Sequence, residues 1–185
     1  KNLDTGKEIW ESRYRDETTG EGGYVYAEPG MYDNVTVLDV ASMHPTSIEI
    51  LNLFGPYTSK FSELKEARMA IKRKEYEKAR ALLGGRLGKF LLDAESNPGG
   101  AEALSYALKI VINIVYGLTS AKFDNPFRDN RNVDNIVAKR GALFMIDLKN
   151  DLDEVGLGQF RPVHIKTDSI KIPHATEDII EHVMQ

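Results

Sequence analysis

Apolar and polar residues alternate on both sides of Thr167-Asp168-Ser169 in the stretch RPVHIKTDSIKIPH, residues 161–174. A period of two predicts two strands, about Phe160–Lys166 and Ser169–Pro173, joined by a tight turn. Upstream, Val35–Val40 (VTVLDV) is β-branched and nearly all apolar, which predicts a buried strand. Tyr24–Glu28 (YVYAE) predicts a shorter strand, stopped by Pro29-Gly30. Pro45 suits the first turn of a helix that runs to about Asn52 and is ended by Gly55-Pro56. From Phe61 to Leu83 the pattern is helical and charged, until Gly84-Gly85 breaks it. Residues 93–100 (DAESNPGG) read as a loop. Ala101–Leu118 reads as a helix, apolar nearly all round, that packs on more than one side. Asn125–Asn132 reads as a loop, and Asn132–Val155 as a long helix closed by Gly156. Thr176, followed by Glu177 and Asp178, starts a final helix. Residues 1–23 are polar and read as irregular, with a short helix near Trp10.

The order is strand, strand, helical hairpin, helix, β-hairpin, helix. It predicts an α+β domain with an antiparallel sheet and a helical insertion. A sheet of this kind normally gains a strand after its last helix, so the chain reads as a truncated domain. Its 185 residues, 42% of them hydrophobic, fit one domain or one domain with a protruding subdomain. No repeat or low-complexity tract interrupts it.

The chain has no cysteine, which excludes a disulfide framework, a thiolate zinc site and a thiol nucleophile, and suits a reducing compartment. No uninterrupted apolar run approaches the roughly 18 residues that span a bilayer. KNLDTGKEIW lacks the apolar centre of a signal peptide. The expectation is a soluble cytoplasmic protein with no membrane partner. The net charge of −4 argues against a nucleic-acid partner, but its distribution does not. Lys60–Phe90 carries ten Lys/Arg and four Glu, a local charge of +6, on a remainder of −10. The plain reading is a solvated charged helix; the sharper one is a surface for phosphates.

Asp168 at a hairpin tip has an ordinary explanation, since Asp is a common turn residue. Asp39 is harder to dismiss. It closes a strand otherwise built for burial, where a carboxylate must be exposed, paired or bound to metal. If the two strands are neighbours, both carboxylates reach one edge of the sheet. Magnesium favours such a set: few protein oxygens, with water and substrate phosphates filling the octahedron. Two such ions clamp the attacking and leaving oxygens of an in-line displacement. Lys109, Asn113 and Tyr116 lie at i, i+4 and i+7 and share a helix face. Arg68 and Lys72 are spaced i, i+4 on the basic helix. Turned toward each other, the two helices make a triphosphate cradle that neutralises charge in a phosphoryl-transfer transition state. GGRLGKF is not a phosphate loop, because Leu83 stands in place of the leading glycine and Phe90 in place of Ser/Thr.

These spacings resemble family B DNA polymerases. LDVASMHPTSI resembles their first palm motif, Asp-x-x-Ser-Leu-Tyr-Pro-Ser. LKIVINIVYG resembles the fingers motif Lys-x-x-x-Asn-x-x-Tyr-Gly, at Lys109, Asn113, Tyr116 and Gly117. HIKTDSIKI resembles the second palm motif, Tyr-Gly-Asp-Thr-Asp-Ser, and GGYVYAEPGMYDNVTVLD resembles the Gly-Gly lead-in to the first catalytic strand. The resemblance spans about Gly22–Ile172, and AKRGALFMIDL is similar to phage and other viral members, which implies a phage or viral protein in a host cell.

The resemblance implies an antiparallel-sheet palm with a helical-hairpin fingers insertion. Residues 1–23 would be a lead-in, 24–59 and 121–185 the two parts of the palm, and 60–120 the fingers. Asp39 and Asp168 would hold two Mg2+ ions, with Mn2+ a substitute and the Val40 carbonyl a further ligand. Ala41, Ser42, Met43 and His44 would lie under the triphosphate. Lys109 would bind it and protonate the leaving pyrophosphate, assisted by Arg68 and Lys72. Asn113 and Tyr116 would shape the nucleotide pocket. Gly22, Gly23, Gly117, Lys166 and Thr167 would face DNA. The reaction would be attack of a primer 3′-hydroxyl on a dNTP, with a primer-template as partner.

Three residues depart from the family pattern. His44 replaces a Tyr that packs against the sugar. Lys166 replaces the first Asp of Asp-Thr-Asp, so that it either weakens metal binding or contacts the primer backbone. Gly20 falls where a template-contacting Tyr often precedes the Gly-Gly pair. Exonuclease and thumb portions are expected elsewhere in the same chain or in a separate one. Two other functions compete: a non-catalytic nucleotide- or DNA-binding polymerase fragment, and a metal-dependent nuclease or phosphoesterase using Asp39 and Asp168.

Overall fold

The computed structural model describes residues 11–156 and 159–185, apart from the side chain of Val133. The helix expected near Trp10 lies outside the described residues. The chain is mixed α+β, and two antiparallel sheets and seven α-helices are described. It divides into two units: one built from residues 1–43 and 135–185, the other from 44–134.

The first unit holds the larger sheet. Its strands are β3 (Val25–Ala27), β4 (Val35–Asp39), β5 (His164–Lys166) and β6 (Ser169–Pro173), in the order β3-β5-β6-β4 and antiparallel throughout. Period-two alternation points Ile165, Ile170 and Ile172 inward, where each is at most 1% exposed. They pack against Ala142, Met145, Ile146 and Leu152, the buried stripe of α6 (Ile136–Val155), and against Ile179 of α7 (Glu177–Met184). Thr176 caps α7 as expected, its hydroxyl accepting from the Ile179 amide at 3.4 Å.

The lead-in is not wholly irregular. β1 (Arg13–Tyr14) and β2 (Glu17–Thr18) form a small hairpin that turns through Arg15 and Asp16, both at positive φ. The Arg-Asp pair is not the usual turn signal, so the pattern concealed it. The Tyr14 hydroxyl donates to Asp147 at 3.0 Å and Lys149 pairs with Glu17 at 2.8 Å, which fastens the hairpin to α6.

The second unit is helical: α1 (Met43–Ile50), α2 (Thr58–Lys72), α3 (Tyr76–Ala81), α4 (Pro98–Thr119) and α5 (Asn130–Val133). Small residues let α2 approach its neighbours. Ala67, Ala70 and Ile71 meet Ala79, Ala101 and Leu108 in one cluster. Arg80 ties the loop beyond α3 down, donating to the Leu91 carbonyl and pairing with Glu95 at 2.8 Å.

Four expectations change. The charged stretch from Phe61 is two helices, because α2 stops at Lys72 and Lys74 turns left-handed at φ 61°. The Lys74 amide donates to the Ile71 carbonyl and the Glu75 amide to the Ala70 carbonyl, at 3.0 and 2.9 Å. That is a Schellman ending with lysine in the position glycine usually takes. α1 ends the same way at Asn52, φ 46°, before Gly55-Pro56 is reached. The long helix expected from Asn132 is interrupted at Asn135, φ 56°, and α5 starts inside the expected loop. Finally, α4 buries one stripe (Ala101, Ser105, Leu108, Ile112 and Thr119), while Tyr106 and Ile114 are 64% and 55% exposed. By length and composition α4 is also long and apolar enough to cross a membrane, although Glu102 and Lys109 interrupt its apolar run.

A left-handed lysine costs about 1–2 kcal/mol relative to glycine. Lys74→Gly is therefore expected to raise unfolding free energy by about 1 kcal/mol in urea titration, and Lys74→Ala to give no gain.

Candidate functional site

The β4–β6 ladder decides where the two acids lie. Asp39 is opposite Ser169, and the Val40 amide donates to the Asp168 carbonyl at 2.8 Å. Asp39, Val40 and Asp168 thus meet at one end of the sheet, Asp39 exposed and Asp168 half-buried. Lys166 pairs with Ser169, leaving Thr167 and Asp168 as a two-residue turn. Thr167 takes φ 56°. A β-branched residue there is strained by about 1–3 kcal/mol and persists only where its surroundings hold it.

The Gly-Gly lead-in supplies part of that hold. The Thr167 amide donates to the Tyr24 carbonyl at 2.9 Å. Gly23 lies against the turn at φ 118°, and a Cβ there would meet the Thr167 side chain at 3.1 Å. Gly23 is therefore required both by conformation and by close approach. Gly22 is exposed, with nothing within 4 Å of a Cβ.

Lys166, Ser169 and Asp39 occupy directly paired positions on β5, β6 and β4, so they project from the same face. Two strand spacings separate Lys166 from Asp39, roughly 9–10 Å between backbones. Lys171 and His164, also paired, project from this face one step along. The sequence pattern held this information, since His164 and Lys166, and Ser169 and Lys171, lie two apart along their strands. The alternation drew attention to the buried isoleucines instead.

Ser42 at φ 59° turns the chain after β4, and α1 opens at Met43. First-turn amides of a helix face away from its body and suit anionic oxygens. Met43 is also a core residue, and its sulfur lies so near Gly141 that a Cβ there would sit 2.6 Å from it. Pro45, third in the helix, contributes no amide.

In the helical unit, Arg68 and Lys72 of α2 and Lys109 of α4 line one groove of about 380 Å³. Lys74 joins them, with Glu102 and Tyr106 on the wall. Lys74 was not singled out in the sequence, because a continuous helix gives no sign that this residue turns back. Asn113 and Gly117 are exposed on α4 and do not line the groove; a Cβ on Gly117 would meet nothing within 4 Å. The His44 and Tyr116 rings pack at 4.8 Å, tilted by 43°. Burial pushes the Tyr116 hydroxyl above the ordinary phenol pKa.

Among the described residues no three His, Asp or Glu side chains gather around one point. The groups that could hold a metal at this sheet end are the carboxylates of Asp39 and Asp168, with the Val40 carbonyl beside them in the chain. This set fits a hard cation whose shell is completed by water and phosphate oxygens, and does not fit an all-protein cage.

No protein-family model matches the sequence, and no curated protein matches it at a significant level. The structure defines a mixed α+β protein with two acids at the end of an antiparallel sheet and a basic groove in a separate helical unit.

Gly23→Ala should disturb the turn that presents Asp168. The expected outcome is a loss of about 1–3 kcal/mol of stability, with shifted amide signals at Thr167 and Asp168 in NMR spectra. Gly22→Ala should change neither.

Proposed function

We propose that the chain is the palm-and-fingers part of a template-directed DNA polymerase, transferring a nucleotidyl group from a dNTP to a primer 3′-hydroxyl. The observation that carries this reading is the juxtaposition of Asp39 and Asp168 through the Val40–Asp168 hydrogen bond. Asp39, Asp168 and the Val40 carbonyl are the groups that would hold Mg2+. Bound there, the metal would polarise the α-phosphate and lower the pKa of the attacking hydroxyl.

The remaining roles belong to the chain. Lys109, Arg68 and Lys72 bind the triphosphate, and their charge offsets what develops on the departing pyrophosphate. Lys109 supplies its proton. His44 and Tyr116, already in ring contact, form a wall for the sugar and base. An imidazole in that wall is smaller and more polar than a phenol, which relaxes discrimination against a 2′-hydroxyl. Asn113 contacts the nascent pair. Gly22, Gly23, Gly117, Thr167 and Lys166 face the DNA, with Lys166 against primer phosphate. Exonuclease and thumb portions belong to the same or another chain, and the setting is the cytoplasm of a host cell.

One observation favours the non-catalytic alternative. The ammonium of Lys166 projects from the Asp39 face at a position where the family carries an acid. A cation there opposes metal charge, and would leave a fragment that binds dNTP or DNA without turnover.

Equilibrium dNTP binding separates these cases. Wild type should bind dNTP in a Mg2+-dependent manner, and Lys109→Ala should weaken it about tenfold or more. Asp39→Asn should abolish the Mg2+ dependence. With the exonuclease and thumb portions supplied, primer extension should occur and disappear in Asp168→Asn. Binding without extension supports the alternative. Binding that ignores both Mg2+ and Lys109→Ala contradicts the polymerase reading, and cleavage of phosphodiesters without dNTP points to a nuclease.

A further inference from the structure

The helical unit has a second concavity, of about 610 Å³, formed where the start of α2 meets the loop after α4. Phe54, Tyr57, Phe61 and Phe127 line it, with Lys60 and Arg128 beside them. Phe54 meets Phe61 edge-on at 5.2 Å and Phe127 edge-on at 6.2 Å. This geometry suits the ring quadrupoles and holds the walls in place without a ligand. The loop is fastened as well. Asn125 donates to the Leu118 carbonyl at 3.1 Å, and its side-chain oxygen accepts from the Phe127 amide at 2.9 Å.

Several of these rings still face solvent. Tyr57 is 75% exposed, Phe127 41%, and the neighbouring Phe123 62%. A single exposed aromatic is unremarkable, but a preset aromatic pocket flanked by cations is unusual on a soluble surface. The local acids leave part of the positive charge uncommitted. Glu63 pairs with Lys60 at 3.0 Å, and Asp129 is held by Arg131 at 2.8 Å, while Asp124 and Arg128 are both exposed. The whole unit carries fourteen Lys/Arg against eleven Asp/Glu, although the protein is acidic.

We infer that this pocket takes an unpaired base of a single-stranded nucleic acid. The base stacks against Tyr57 and Phe127, and the adjoining phosphates meet Lys60 and Arg128. Flat aromatic walls fit a base of any sequence, and the cations fit a polyanion. An apolar peptide would use the rings but would leave Arg128 without a partner, while Lys60 would keep only its exposed pair with Glu63. The inference shares no residue with the acidic pair or the basic groove, so it stands apart from the polymerase reading.

The test is fluorescence anisotropy of a labelled oligothymidine of about twelve nucleotides with the 185-residue chain. Tyr57→Ala and Phe127→Ala should each weaken binding about tenfold. Arg128→Gln should weaken it and flatten the salt dependence by about one ion. An oligomer of the same length made of abasic sites should bind wild type about as weakly as oligothymidine binds Tyr57→Ala. Mg2+-dependent dNTP binding should be unchanged in Tyr57→Ala, which separates failure here from failure of the polymerase reading. Circular dichroism verifies that the variants fold. Unchanged binding in both aromatic variants, or equal affinity for abasic and normal oligomers, overturns the inference. So does self-association of the chain that Tyr57→Ala removes, which would assign the pocket to a second copy.

Discussion

The pairing of β4 with β6 is the constraint on which the proposed chemistry rests. Five residue pairs run from Val35–Pro173 to Asp39–Ser169, and the Val40–Asp168 hydrogen bond continues the ladder past the last of them. Because side chains alternate, a slip of one residue would turn Asp39 toward the core and half-buried Leu38 outward. The core prevents that slip. Ile170 and Ile172 are buried against α6, and a one-residue slip of β6 would turn both outward. The same hydrophobic contacts that stabilise the sheet therefore set the position of the acids.

Two acids are placed at one sheet end, and a left-handed threonine beside them adds strain. Nothing in packing alone calls for this combination. The strain is held by Gly23 beneath the turn and by the Thr167–Tyr24 hydrogen bond, so the lead-in supports the site although it contributes neither of its two acids. Lys166 projects from the same face as Asp39, two strands away. Its charge would compete with a bound cation, and this tension separates a catalytic reading from a binding-only one.

Much of the first unit was legible in the sequence, because its pattern and packing agree. VTVLD forms a strand, though one at the sheet edge with Val37 54% exposed rather than the buried strand expected; SIKIP is its partner, and Thr176 caps the last helix. The spacing of Lys109 from the Arg68–Lys72 pair also led to one groove. The misses share a cause. Lys74 and Asn52 take left-handed conformations at hydrogen-bonded helix ends, Asn135 takes one before α6, and lysine in particular carries no local signal for it. The Arg15-Asp16 turn is a miss of the same kind. The pocket around Phe54 and Phe127 was illegible for another reason: its rings come from segments some seventy residues apart in the chain, and only tertiary structure brings them together.

Paramagnetic broadening by Mn2+ tests the central claim most directly. With Mn2+ and a dNTP added to isotopically labelled protein, the amide signals of Val40, Asp168 and Ser169 should broaden together at one metal concentration. Asp39→Asn should abolish the effect on both strands at once. Broadening confined to one strand, or broadening at both that survives Asp39→Asn, would contradict a shared site.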